Sequence, residues 1–488
     1  MKVRGALRSS PSAVNARVPW PWIVLFAAIK LTVTVSVSNR YGWHGDELYF
    51  VAASHHLDFG YVDFPPVVPL LAAADQAIAP GSLVALRLLA ALAGCAVVVL
   101  TALIARELGG STRAQAWAAL ALLLSPVFLG ANALFHTASF DQLAWAAAVL
   151  AFARLLRTGD QRLWLVIGLV VGIGLETKHT MVALPVAMFA GLLVTNRRSM
   201  LLSAWPWLGA AVALLIFLPN LIWQATHDWI SVQYVLSHRG HTDGPFAYWW
   251  QQAVVFINPV FLVPVALGLL ALRKDQRFAA LTYVFVAVLL IFFVLGGKSY
   301  YAAPIYPLGY AAGAMWLDQR LRRKIWIGGL AAGATAVTLV LATALLPIAP
   351  VPNSTFNDEI GWPELAQQTA QAYDSIPAGQ RANAMIVAHY YSQAAAIDFY
   401  GPDLGLPHTV SPHLSYWYWA PARMDPMTVV MVDFTLDEGS HLFSDCRQVG
   451  TVTNSLGIHN NTYGAPILVC SGPRKPLWQA WKSLQTLD

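Results

Sequence analysis

The chain has 488 residues, 57% of them hydrophobic and only 11% charged, with a mean hydropathy of +0.54. Soluble globular chains carry roughly twice that charged fraction, so the composition excludes an ordinary soluble protein and points to a polytopic helical membrane protein. The formal net charge of +5 follows membrane topology and is no sign of a nucleic-acid partner, and three cysteines exclude a metal cluster of the paired-cysteine type.

Residues 1–19 hold Lys2, Arg4, Arg8 and Arg17 among serines and prolines, a short basic tail. The apolar run behind it is long enough to span and lacks a small-residue cleavage pattern, which makes it an anchor rather than a signal peptide. From 20 to 346 the hydropathy predicts about 11 spans: 20–37, 87–105, 117–133, 140–156, 163–175, 181–194, 204–222, 252–272, 279–295, 302–316 and 325–346. The loops sort by charge. One alternating set holds Arg106, Arg113, Arg154, Arg157, Arg162, Arg197, Arg198, Arg273, Lys274, Arg277, Arg320, Arg322, Arg323 and Lys324. The other holds only Arg40, Lys178, Arg239 and Lys298, with Arg87 at a span end. The positive-inside rule puts the first set and the basic tail in the cytoplasm. The loop 38–86 and everything after Leu346 are then outside a multi-pass cell (inner) membrane protein.

That outer loop concentrates Asp46, Glu47, Asp58 and Asp63 in a chain poor in charge. Glu47 to Leu57 has helical apolar spacing, and Asp63 precedes Pro65-Pro66, which restart the chain at a fixed angle. Carboxylates on rigid pieces at a membrane surface suit general-base or cation-binding work. Asp46 as an ordinary helix cap is the alternative.

Lys178 and Lys298 are outer cations set against the topological grain, suited to a lipid phosphate or pyrophosphate, or else to snorkelling and helix capping. Asp141 opens the fourth span, where an N-cap is the default role. His136 and His179 are proton-shuttle candidates or plain polar end residues. The loop 224–250, with His227, His238, Arg239 and His241, is too irregular for a metal signature and reads as a lid or interfacial segment.

After Leu346 the composition changes. A linker with Pro347, Pro350, Pro352 and Asn353 leads into a small domain spanning 347–488. Its predicted elements are a helix from Pro363 to about Tyr373, strands at 384–388, 428–433 and 467–470, and a helix at 392–399, an α/β unit outside the membrane. Cys446 and Cys470 lie at the edges of strand-like runs in an oxidising compartment, with no other partner there, and are expected to form a disulfide. The run Ser415-Tyr416-Trp417-Tyr418-Trp419 is either a sugar-stacking platform or, by preference, an interfacial belt.

Several of these stretches, in order, resemble a known family. Gly45-Asp46-Glu47-Leu48-Tyr49 and Asp63-Phe64-Pro65-Pro66 are followed by Phe140-Asp141-Gln142 and Gly174-Leu175-Glu176-Thr177-Lys178-His179. Gly296-Gly297-Lys298-Ser299-Tyr300-Tyr301-Ala302-Ala303-Pro304-Ile305-Tyr306-Pro307 completes the set. Together they resemble glycosyltransferase family 39 of the GT-C class, relatives of protein O-mannosyltransferases and lipid A aminoarabinose transferases, from about Trp20 to Trp316. The resemblance implies a polytopic all-α bundle with a small C-terminal α/β domain. It implies inverting transfer of a hexosyl or pentosyl group from a polyprenyl-phosphate donor to a lipid, glycan or protein hydroxyl at the outer face. By the same resemblance Asp46 matches the catalytic acid, with Glu47 beside it. Asp63 matches the second loop acid, which in some members helps hold a divalent cation, the one cofactor implied. Lys178 and Lys298 match positions near the carrier phosphate, and His179, Tyr300, Tyr301, Arg87 and Asp141 complete the candidate donor-binding set. One departure is Phe64, where aminoarabinose transferases have a basic residue.

The residues fit that chemistry on their own terms. The acceptor hydroxyl needs a base, and the leaving phosphate needs cations as charge builds on it. No nucleotide-binding glycine loop is present. A transporter or flippase for a lipid-linked solute is the alternative, but it needs polar groups at mid-depth and duplicated halves. The polar groups here sit at outer span ends, and no internal repeat is evident.

Overall fold

Inside a bilayer no water pairs backbone groups, so long apolar runs fold as helices, and a break survives only where other groups take up the freed carbonyls. The computed structural model describes residues 16–238, 244–320, 324–346 and 355–487. The tail residues Lys2, Arg4 and Arg8, the loop residues Arg239 and His241, Arg322, Arg323 and the linker 347–354 lie outside them. The described chain divides into two compact units, one from 16–38, 84–226 and 244–346, the other from 39–83, 227–238 and 355–487.

The first unit is helical. Among the described residues four helices are long and apolar enough to cross a membrane, Trp20–Val37, Leu83–Glu107, Thr137–Thr158 and Trp205–Thr226. A fifth is added if Gly244–Phe256 and Pro259–Leu272, bent by 101°, form one span. Their outward side chains are apolar, with Val24 59%, Leu215 70% and Val263 60% exposed. A count of about 11 spans is not established, because several expected runs are shorter helices or are broken. Hydropathy passes over the breaks because one polar residue and a proline hardly change a window average. The run 117–133 divides into Thr112–Leu123 and Pro126–Ala131, and the run 252–272 breaks between Phe256 and Pro259. Proline has no N–H and cannot continue the preceding helix. The polar neighbours then satisfy what the breaks release. Ser125 donates to the Phe256 carbonyl at 2.8 Å, and the Asn258 amide donates to the Leu124 and Ala334 carbonyls at 2.9 and 3.1 Å. Thr338 donates to the same Leu124 carbonyl at 2.6 Å. Ser125-Pro126 and Asn258-Pro259 were the sequence signals for these two breaks.

The second unit contains a five-stranded sheet of β1 (Ala384–Ala388), β2 (Thr409–Val410), β3 (Thr428–Val432), β4 (Phe443–Thr451) and β5 (Pro466–Pro473), in the order β2-β1-β3-β5-β4. The first three strands are parallel, and β5 is antiparallel to both neighbours. β1 and β3 are central and almost wholly buried, hence their unbroken apolar sequence. β4 pairs on one side only and carries mostly polar, partly exposed residues, so no apolar pattern announced it. Cys446 and Cys470 face each other in the β4–β5 register with Cα atoms 4.1 Å apart and are joined as a disulfide. The helices Trp362–Asp374 and Tyr391–Tyr400 lie within two residues of their expected ends.

Candidate functional site

The acidic loop and the C-terminal segment belong to one unit, and the loop acids are built into it by specific contacts. Asp46 lies in the first turn of the helix Gly45–Ser54. The helix is capped by His44, whose Nδ1 accepts from the Asp46 backbone N–H at 3.1 Å, while Glu47 accepts from the His44 N–H at 2.9 Å. The cap is therefore His44 with Glu47, and the Asp46 carboxylate is not the capping group. Glu47, expected to act beside Asp46, is fully buried in this capping box.

The Asp46 side chain is 27% exposed, enough to be reached from outside. Its Oδ1 accepts a hydrogen bond from the Tyr391 hydroxyl at 2.6 Å, across 345 positions of sequence. One turn after Asp46, Tyr49 donates to Asp63 Oδ1 at 3.2 Å and accepts from the Ser415 N–H at 3.0 Å. Ser415 Oγ in turn accepts from the Val62 N–H at 3.0 Å. Each loop acid thus has its own tyrosine, and the two tyrosine rings lie 4.4 Å apart. Burial first, then the adjacent carboxylates, hold both phenol pKa values well above 10, so both hydroxyls stay donors at any ordinary pH.

Phe64 is buried against Tyr49, Phe50 and Tyr61 and serves as core where the resembled transferases carry a cation. Asp58 closes a local turn through its carboxylate and the Phe59 N–H. In the aromatic run, Tyr416 is buried and donates to Asp398 at 3.0 Å, and Trp419 stacks on His56 at 4.7 Å. These two rings pack inside the unit instead of forming the interfacial belt expected of them. Among the described residues no three His, Cys, Asp or Glu side chains gather where they would hold a metal ion. No step below uses a divalent cation.

The cationic candidates lie in the helical unit. Lys178 follows the helix Leu163–Leu175, and its Nζ stands 4.9 and 5.0 Å from the ring centres of Tyr300 and Tyr301. Two sequence motifs more than a hundred residues apart therefore meet in a cation–π contact. Asp141, buried in the helix Thr137–Thr158, feels the Lys178 charge. His136 caps that helix, so Asp141 is not its cap. Asp141 is within hydrogen-bonding reach of the Trp145 and Thr180 side chains, while Glu176 Oε2 is buried without a hydrogen-bond partner among the described residues. Unpaired buried polar atoms are uncommon in folded proteins and call for a reason.

The remaining candidates fall outside this group. His179 meets the Asn220 side chain at 3.4 Å and the Phe217 ring. Arg87 is buried and donates to the Ser38 carbonyl at 2.7 Å, anchoring the end of the helix Trp20–Val37. Lys298 is exposed, and its backbone carbonyl accepts from the Tyr301 N–H at 3.0 Å. Tyr391 and His44 are residues that the sequence did not single out, and Tyr49 and Ser415 stood out only as members of their runs, with no role of their own.

Comparison with known proteins covers part of the motif set. Residues 63–223 match the family model described as dolichyl-phosphate-mannose-protein mannosyltransferase. That segment takes in Asp63, Arg87, Asp141, Lys178 and His179 and leaves Asp46, Tyr300 and Tyr301 outside. ArnT from Cupriavidus metallidurans, solved bound to undecaprenyl phosphate, superposes with a TM-score of 0.66 at 15% identity, over 93% of this chain and 98% of that one. Arabinofuranosyltransferase AftD from Mycobacteria gives 0.55 at 16% identity, over 94% of this chain and 40% of that one. The oligosaccharyltransferase AglB from Archaeoglobus fulgidus, solved with an inhibitory peptide and a dolichol-phosphate, gives 0.52 at 13% identity, covering 84% and 69%. None of the curated protein sequences matches this chain. The resemblance to mannosyltransferases drawn from the motifs is matched over residues 63–223, and the fold is of the GT-C glycosyltransferase kind.

Proposed function

We propose that this protein is an integral-membrane glycosyltransferase that moves a sugar from a polyprenyl-phosphate donor to an acceptor hydroxyl at the outer membrane face. The observation that carries the reading is the accessible Asp46 carboxylate held by a buried phenol. The carriers named with two structural relatives, undecaprenyl phosphate and dolichol-phosphate, are both polyprenyl phosphates and support the donor class. In the reaction the acceptor oxygen attacks the anomeric carbon as the bond from that carbon to the phosphate oxygen breaks. The hydroxyl proton passes to Asp46, and polyprenyl phosphate leaves with the bonding pair, so one displacement inverts the anomeric centre. Lys178, steadied between Tyr300 and Tyr301, is assigned the charge that develops on the phosphate. The outer-face orientation rests on the loop charges alone.

The test is to incubate membranes containing the protein with radiolabelled polyprenyl-phosphate sugars and to follow label into lipid, glycan and protein fractions. Label is expected to move only when the active protein is present. If no polyprenyl-phosphate sugar is consumed while the intact protein is in the membrane, the reading is wrong.

A further inference from the structure

We infer that Tyr391, contributed by the C-terminal segment, is a positioning residue for Asp46, which makes that segment part of the acid site rather than an accessory to it. The inference rests on the reading of Asp46 as the base.

The geometry is specific to the hydroxyl. The 2.6 Å bond to Oδ1 fixes one edge of the Asp46 carboxylate, which would otherwise rotate about its own side-chain bonds. Tyr391 is itself held on two sides, by the Tyr49 ring at 4.4 Å and by the stacked His413 ring at 5.3 Å. Its backbone N–H donates to His413 Nδ1 at 3.4 Å. The backbones are pressed together at the same place. A Cβ on Gly45 would stand 2.9 Å from Ser392 Cβ and 3.2 Å from the Trp362 ring, so the residue before Asp46 and the residue after Tyr391 touch only because position 45 is glycine. A side chain there would push the two helix starts apart and lengthen the bond between Asp46 and Tyr391. The Tyr49–Asp63 pair repeats the arrangement one turn along, with Tyr49 bridging back to Ser415 of the C-terminal segment.

A phenol donor favours the charged carboxylate, so removing it raises the Asp46 pKa and moves the acidic limb of activity to higher pH. The other charged or titratable groups facing Asp46 are His44, Asp358 and, behind the tyrosines, Asp63. His44 Nδ1, 4.0 Å from the Asp46 carboxylate, is already an acceptor for the Asp46 N–H. All three are unchanged when only the Tyr391 hydroxyl is removed.

The experiment compares the full-length wild type with Tyr391→Phe, which keeps the ring stacking. Asp46→Asn supplies the reference for an infrared difference spectrum of the Asp46 carboxyl. Tyr391→Phe should lower kcat about tenfold with little change in the donor KM, and move the acidic limb of the kcat/KM profile up by about one pH unit. The infrared titration of Asp46 should shift by the same amount without any substrate. Unchanged kcat, limb and infrared titration would overturn the inference while leaving the transferase reading intact. A fall in activity with an unmoved limb and titration assigns Tyr391 a merely structural part and overturns it equally. If the wild type transfers no sugar yet the infrared titration moves, the transferase reading fails and the Tyr391–Asp46 contact stands.

Discussion

The acid cluster and the cation cluster are built in opposite ways. Around Asp46 and Asp63 the polar groups find partners within their own unit: His44 with Glu47, Tyr391 with Asp46, Tyr49 with Asp63 and Ser415. Around Lys178 the charge instead faces the Tyr300 and Tyr301 rings, Asp141 is shared by Trp145 and Thr180, and Glu176 Oε2 stays buried without a partner among the described residues. A base must meet its proton at a fixed angle, which rewards a preorganised carboxylate. A cation that is to meet a large anion can be steadied by aromatic faces, which attract its charge without neutralising it. The contrast matches the roles assigned to the two clusters, and substitutions on either side test it.

Asp46→Asn should have the largest effect. Transfer should fall roughly 10²–10⁴-fold, the usual contribution of a positioned general base. The helix should be undisturbed, because the cap belongs to His44 and Glu47. For the same reason Asp46→Ala should not show the loss of about 0.5–2 kcal/mol expected when a true N-cap is removed. Single-turnover transfer together with thermal melting of purified protein separates the two, and an unstable Asp46→Ala with active Asp46→Asn would restore the capping role. The disulfide comes next. It closes a loop of 24 residues between paired strands, and its loss through a Cys446→Ala, Cys470→Ala double substitution should cost roughly 2–4 kcal/mol. Denaturant unfolding of the second unit's signal measures this, and free alkylation of both thiols in non-reduced protein would contradict it.

On the cationic side the effects are smaller and fall on binding. Lys178→Ala should raise the donor KM about tenfold, the worth of one charge-assisted contact of about 1.4 kcal/mol. Lys298→Ala should stay within about threefold, since the side chain is exposed and the Lys298 carbonyl that accepts from the Tyr301 N–H is kept. Equal effects of the two substitutions would erase the distinction between them, and donor titrations at fixed acceptor decide it.

Much of this was legible in the sequence, for physical reasons. Apolar runs and central strands announce themselves, because β1 and β3 must be apolar on both faces. The loop acids and Lys178 stood out because charge is scarce and its placement is constrained by the membrane. The helix breaks at Ser125-Pro126 and Asn258-Pro259 were written in the chain but lost to window averaging. The pairing of Tyr391 with Asp46 was not legible at all. Nothing local to His389-Tyr390-Tyr391 distinguishes it from any strand end, and the contact exists only once the strands and helices of the second unit have assembled. Gly45 marks the place only afterwards, a glycine in the first helical turn where a Cβ would meet Ser392.

The smallest expected effect sharpens the comparison most, because it concerns the neighbour of the proposed base. The resemblance places Glu47 in the chemistry beside Asp46, whereas its carboxylate is buried and accepts from the His44 N–H. Glutamine serves that position of a capping box nearly as well as glutamate, since the accepting oxygen is retained. Glu47→Gln should therefore melt within a few degrees of wild type and transfer sugar within about threefold, as a substitution that preserves its contact does. Glu47→Ala removes the accepting oxygen and should cost up to about 1 kcal/mol in stability, within the range of a lost cap. A Glu47→Gln protein that folds normally but loses a hundredfold or more in kcat would put the Glu47 charge itself in the reaction. The acid cluster would then hold two working carboxylates side by side, and preorganisation by the cap would be a second duty of a residue that also does chemistry.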